Sequence, residues 1–187
     1  MKSPCSGEIS IFGRDISSYN PVELRRNVGI ALQQATMITG NIRKNLELPL
    51  ELQGKTLAEK DAEKLLNIVG LENVSLDQNS KDLSGGQRQK LSIARTLVNQ
   101  PKVLLLDEIT SSLDRVSEQD IEKLIVKLNQ DSETTIIWIT HSLEQALRVG
   151  TYAWVMMDGR LMETGKIDLL RYPKSDKVKR FVEGDGE

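Results

Sequence analysis

Two apolar runs without alternation, Val103-Leu104-Leu105-Leu106 and Ile136-Ile137-Trp138-Ile139, stop abruptly at polar residues, Asp107-Glu108 after the first and Thr140-His141 after the second. A strand wetted on one side alternates polar and apolar residues, so an unbroken run predicts a strand covered on both faces by helices, as in a parallel sheet. A third run, Val28-Gly29-Ile30-Ala31-Leu32, follows Arg25-Arg26 and empties into Gln33-Gln34. Buried strands alternating with helices predict an α/β fold with a largely parallel sheet, in which ligands sit beyond the carboxyl ends of the strands. Gln33, Asp107, Glu108 and His141 occupy those ends.

The segments between the runs have helical spacing. Residues 38–80 read as a helical insertion, with Thr56-Leu57-Ala58-Glu59 as a capping box opening a helix that carries Ala62, Leu65, Leu66 and Val69 to a stop at Gly70. A second capping box, Ser84 to Gln87, opens a helix with Leu91, Ala94, Leu97 and Val98 on one face, ended by Asn99-Gln100-Pro101. After Asp114, Val116, Ile121, Leu124, Ile125 and Leu128 recur at helical spacing. A short helix is expected from Ser142, then a hairpin with Asp158-Gly159 as its turn, then a charged, weakly helical tail from Ile167. Near the start, Glu8 to Phe12 and Gly13 read as a short strand and turn.

A chain of 187 residues, 39% hydrophobic and 28% charged, fits one soluble globular domain. The formal charge of -2 carries no basic excess and argues against a nucleic-acid partner. Cys5, the single cysteine, has no intramolecular disulfide partner and no ligand neighbours for a metal, which fits a reducing compartment. No apolar run approaches the roughly 18 residues of a membrane span, and Met1-Lys2-Ser3-Pro4 is not backed by the apolar core of a signal peptide. Membrane association is therefore expected only through a partner.

Leu83-Ser84-Gly85-Gly86-Gln87 is the most informative stretch. Two glycines in a first helical turn weaken it by roughly 1 kcal/mol each relative to alanine, and close approach of a ligand is one reason to keep them. Without side chains there, backbone N–H groups of the helix N-terminus can lie against a phosphate, with the Ser84 hydroxyl beside them. The plain alternative is an ordinary capped helix start. Downstream, Asp107-Glu108 suits two tasks: one carboxylate to hold a Mg²⁺ ion on nucleotide phosphates, the other to orient or deprotonate an attacking water. The plain alternative there is a solvated acidic strand end.

Leu-Ser-Gly-Gly-Gln and Val-Leu-Leu-Leu-Asp-Glu, in this order and spacing, resemble the signature motif and second Walker motif of ATP-binding cassette (ABC) proteins. Gln33 looks like the loop glutamine of that family, which contacts Mg²⁺ and the attacking water and senses the membrane partner. Ser111-Ser112-Leu113-Asp114 resembles the loop that crosses the dimer interface, and His141 is similar to the switch histidine on the terminal phosphate. Ser6-Gly7-Glu8-Ile9 and Asp158-Gly159-Arg160 also fall where such cassettes carry like residues. Ile109 replaces the usual proline, and the Asp-Glu-Ile-Thr-Ser pattern resembles iron-efflux, metal-resistance and some phosphate-type cassettes. The resemblance implies ATP and Mg²⁺ as ligands, Glu108, His141 and Gln33 as catalytic, Asp107 and Gln33 at the metal, and Ser84, Gly85, Gly86, Gln87 and Asp114 at the nucleotide. It further implies a membrane permease and a second nucleotide-binding subunit as partners, and a cytoplasmic place on the inner face of the membrane.

The family's phosphate loop, Gly-x-x-x-x-Gly-Lys-Ser/Thr, is expected upstream of Ser6-Gly7-Glu8 and is not found within these residues. Gly54-Lys55-Thr56 fails as a substitute because Pro49 stands at the first glycine position, and Gly165-Lys166-Ile167 fails because Arg160 stands there. The expected architecture is thus a P-loop NTPase of ABC type in one domain, 1–187, lacking its first strands and phosphate loop, and inactive by itself. Two alternatives remain: a short form that pairs with an intact cassette, and a soluble ABC ATPase outside transport.

Overall fold

The computed structural model describes residues 6–132 and 134–184, so the expectations for Cys5 and for residues 1–4 lie outside the described residues. β1 (Ser10–Ile11) and β2 (Arg14–Asp15) form a small antiparallel pair, followed by α1 (Pro21–Asn27) and β3 (Val28–Leu32). Then come α2 (Ile42–Glu51), α3 (Glu59–Ile68), α4 (Gly85–Leu97), β4 (Val103–Asp107), α5 (Arg115–Asp131) and β5 (Thr135–Ile139). α6 (Leu143–Val149), β6 (Tyr152–Met157), β7 (Arg160–Lys166) and α7 (Asp176–Glu183) complete the order.

β3, β4 and β5 pair in parallel in sequence order, and the register places Leu32, Asp107 and Ile139 side by side at the same end. Both crossovers step the same way across the sheet, and connections of one hand then put their helices on one face. Ala31, Leu104 and Leu106 are buried on that face with Leu91, Ile93 and Ala94 of α4 and Ile121, Leu124 and Ile125 of α5. Each fully buried Leu or Ile there contributes on the order of 1.5–3 kcal/mol. β3 and α4 approach so closely that a Cβ on Gly29 would lie 2.5 Å from Cγ2 of Thr96, so a side chain at this strand position would force Thr96 to shift.

The other face corrects the expectation of strands covered on both sides. Ile30, Leu32, Ile137 and Ile139 are exposed there, at 41%, 54%, 37% and 53%. The continuous apolar runs have the composition of doubly covered strands, but every crossover helix lies on one side.

α2 and α3 fall within 38–80, and their Ile42, Leu46, Ala62 and Leu66 join the core beneath α4. The expected capping box at Thr56 does not form. Ala58 is the N-cap of α3 and makes no side-chain cap bond. Leu57 packs against the core, which holds this stretch extended and delays the helix to Glu59, where Glu59 and Asp61 suit the positive end of the helix. Gly70 ends the segment as expected, at φ +67°. The hairpin turns at Asp158 and Gly159, both with positive φ (+50° and +70°), the requirement of a type I′ turn. A second, smaller core of Val155, Leu170 and Val178 joins the hairpin to α6 and α7.

Candidate functional site

The strand register brings the polar ends together. Gln33 follows β3, Glu108 follows β4, and Thr140-His141 follows β5, all beyond the aligned Leu32, Asp107 and Ile139. Glu108 turns out of the sheet with φ +49°, a left-handed conformation that costs a residue with a side chain on the order of 1–3 kcal/mol. Its surroundings hold it there. The Glu108 N–H donates to the Ile139 carbonyl at 3.0 Å, and the Glu108 carbonyl accepts from Ser111 N–H (3.1 Å) and Ser111 Oγ (2.9 Å).

The turn aims the Glu108 carboxylate at His141, with Nε2 to Oε1 at 2.5 Å. The imidazole is 83% exposed and the carboxylate 24%, so the pair faces open space on the imidazole side. Gln33 reaches the same loop, its Nε2 donating to Ser111 Oγ at 3.0 Å. This leaves the Gln33 amide oxygen available as a ligand. Asp107, half-buried at the end of β4, makes no side-chain hydrogen bond among the described residues.

No group of three His, Cys, Asp or Glu side chains able to hold a metal occurs among the described residues. That donor set fits Mg²⁺ better than a cation needing a full protein cage, because Mg²⁺ keeps its waters and takes one or two carboxylates plus phosphate oxygens. Asp107 and the Gln33 amide oxygen are two oxygen donors at these strand ends.

At the start of α4 both bonds of the capping box form: Gln87 N–H donates to Ser84 Oγ (3.2 Å), and Ser84 N–H donates to Gln87 Oε1 (2.9 Å). The two glycines differ. A Cβ on Gly86 would lie 2.8 Å from Oγ and 3.0 Å from Cβ of Ser117, so close packing of α4 on α5 accounts for Gly86 without a ligand. A Cβ on Gly85 would meet Leu113 Cδ2 at an ordinary 3.6 Å, and this position is open. Asp114 is the N-cap of α5, accepting from the N–H groups of Val116 and Ser117 (3.0 Å each) and from Ser117 Oγ (2.7 Å). Through Ser117, Asp114 is joined to the start of α4. Among the described residues, no hydrogen bond or ion pair links Ser84–Gln87 directly to the Glu108–His141 pair.

Several supporting residues escaped the sequence reading. Gln89 is buried and donates to the Leu32 carbonyl (3.1 Å), and Arg95 donates to the Thr36 carbonyl (2.8 Å), so α4 grips the chain on both sides of Gln33. Burial of Arg95 lowers its affinity for its proton below the ordinary guanidinium value. Gln145, Glu122 and Thr110 form a buried polar group beneath the acid loop. Gln89 could have been found: it shares the stripe of Gly86 and Ile93 on α4, a polar residue on a buried helical face.

The chain and its fold are similar to those of known proteins. A family model described as ABC transporter matches residues 1–111. An ABC transporter ATP-binding protein of Bacillus subtilis (strain 168), YjkB, is 44% identical over 98% of this chain and 73% of its own length. Other curated relatives are longer, and the chain spans 47% to 56% of them. Among solved structures, cbiO1 from Clostridium perfringens, part of the ABC transporter complex cbiONQ, superposes with a TM-score of 0.80 at 28% identity, over 96% of this chain and 74% of its own. The ATP-binding cassette MJ0796, a dimer in a post-hydrolysis state bound to ADP and Pi, gives 0.75 at 29% identity, over 89% and 75%. The P-loop NTPase fold and these matches together place the chain in the ABC transporter family, as an ATP-binding subunit of ABC ATPase type.

Proposed function

We propose that this chain energises movement of a solute across a membrane, working against a membrane permease and alongside a second nucleotide-binding subunit at the cytoplasmic membrane face. Support comes from the family, from the dimeric MJ0796 structure, and from the absence, among the described residues, of a helix long and apolar enough to cross a membrane. In this reading residues 1–187 belong to one nucleotide-binding domain, with 38–80 as its helical insertion.

The observation that carries the reading is the Glu108–His141 contact at the strand ends. Glu108 is the base that orients the attacking water and accepts its proton, a role worth about 10²- to 10⁴-fold in rate. His141, beside Glu108, meets the terminal phosphate. Asp107 and Gln33 hold Mg²⁺, which supplies charge neutralisation at the phosphates when bound. The open N–H groups at Gly85, with Ser84, Gln87 and Asp114, face nucleotide held by the second subunit.

These residues contain no Gly-x-x-x-x-Gly-Lys-Ser/Thr loop, so turnover needs such a loop from outside them. The 187-residue chain is expected to release no phosphate from Mg·ATP alone. Phosphate release by the purified chain that disappears in Glu108→Gln would overturn this; release that survives Glu108→Gln would point to a contaminant.

A further inference from the structure

His141 is 83% exposed and its one ion-pair contact among the described residues is with Glu108, so the backbone that carries it largely sets its position. That backbone leads straight into α6. Ser142 N–H donates to Thr140 Oγ1 (3.0 Å), and Gln145 N–H donates to Ser142 Oγ (3.2 Å), closing the turn around His141. The next contact is buried. Gln145 is 1% exposed, and its Nε2 faces Thr110 Oγ1 (2.9 Å), Glu122 Oε1 (2.9 Å) and Glu118 Oε1 (3.1 Å). Thr110 lies two residues after Glu108 in the acid loop.

One turn further along α6, Arg148 grips Glu122 with two bonds, Nε to Oε2 at 3.0 Å and Nη2 to Oε1 at 2.7 Å, and reaches Glu118 at 3.4 Å and Glu144 at 3.6 Å. A bidentate guanidinium fixes orientation as well as distance. Burial works against the Glu122 charge, yet Arg148 and Gln145 hold its carboxyl below the ordinary carboxylate range. The polar group therefore ties α6 at once to α5 and to the loop that carries Glu108, and inside the protein such bonds are stronger than in water.

We propose that Gln145, Arg148 and Glu122 form a latch that positions His141 against Glu108. The inference rests on the reading of Glu108 and His141 as a working pair. None of the three touches that pair, so they act as positioning residues. A cluster that served stability alone would leave the imidazole where it is.

His141 is the chain's single histidine, so its ring signals in a ¹H–¹³C spectrum of the 187-residue protein are unambiguous. Spectra of all variants are taken in the same buffer at one fixed pH, so that differences between them report the surroundings of the ring. Glu108→Ala, which removes the carboxylate altogether, gives the ring position of the broken pair. Gln145→Met, which keeps volume and removes the amide, and Arg148→Met are expected to move His141 at least half of the way there, with circular dichroism unchanged. Glu144→Gln, on the same helix and 90% exposed, is expected to leave it in place. If Glu108→Ala moves the signal and the folded latch variants do not, the latch is overturned and the pair stands. If Glu108→Ala itself moves nothing, the pair is not formed, and both readings fall. Arg148 is 44% exposed, so Arg148→Met decides the question even if Gln145→Met does not fold.

Discussion

The carboxamide of Gln89 donates to the Leu32 carbonyl at 3.1 Å, so the helix that begins at Ser84 holds the strand end that delivers Gln33. The start of α4 and the polar strand ends, far apart in sequence, are parts of one rigid unit.

Gln89 is 2% exposed, and replacing it with leucine of similar volume leaves the Leu32 carbonyl without that partner. Gln89→Leu is expected to cost about 1 kcal/mol. Urea unfolding should show a lower midpoint with an unchanged slope.

The adjacent glycines of α4 should respond in opposite ways. Gly86→Ala drives a methyl to 2.8 Å from Ser117 Oγ and should destabilise the chain by about 1–3 kcal/mol, as overpacking does. Gly85→Ala meets only ordinary contact and should be neutral or stabilising by up to about 1 kcal/mol. Ser117→Gly in the Gly86→Ala background should restore most of the loss, measured by the same unfolding curves.

Asp114 gives a pH dependence with a definite sign. The Ser117 N–H, then the Ser117 hydroxyl, hold its carboxyl below the ordinary 3.8, with the Val116 N–H adding to them. A depressed value in the folded chain means that this contribution is fully present above the ordinary carboxylate value and fades as pH falls through the folded one. Asp114→Asn should therefore lose stability near neutral pH and show a flatter acid limb, read from unfolding midpoints across a pH series.

Trp138 carries a buried indole N–H with no hydrogen-bond partner. An orphan donor of this kind costs about 1–3 kcal/mol, which offsets part of what the ring contributes. Trp138→Phe should stay within about 1 kcal/mol of the parent, whereas Trp138→Ala should lose about 3–5 kcal/mol by thermal or urea unfolding.

The three core strands were legible because their apolar runs are bounded by charged or amide residues: Val28–Leu32 coincides with β3, and Val103 and Ile139 mark limits of β4 and β5. The capping box at Ser84 was legible because its four residues act locally. The similar pattern at Thr56 misled because Leu57 is drawn into the core, a tertiary effect that no local pattern records. Ligand approach looked like one explanation for both glycines, yet Gly86 answers to Ser117, thirty-one residues on in the chain. Gln145 escaped notice because a glutamine on a short helix looks like surface until Thr110, Glu118 and Glu122 are folded around it.

The bare side of the sheet governs how this polypeptide behaves in a tube. Ile30, Leu32, Ile137 and Ile139 form a water-facing apolar plate, and β3 and β5 each offer an outer edge of the three-stranded sheet. Plates of this kind stack, and open edges recruit strands from neighbouring molecules. The isolated chain should bind hydrophobic dyes while still folded and precipitate in sulfate at concentrations where a fully covered sheet stays dissolved.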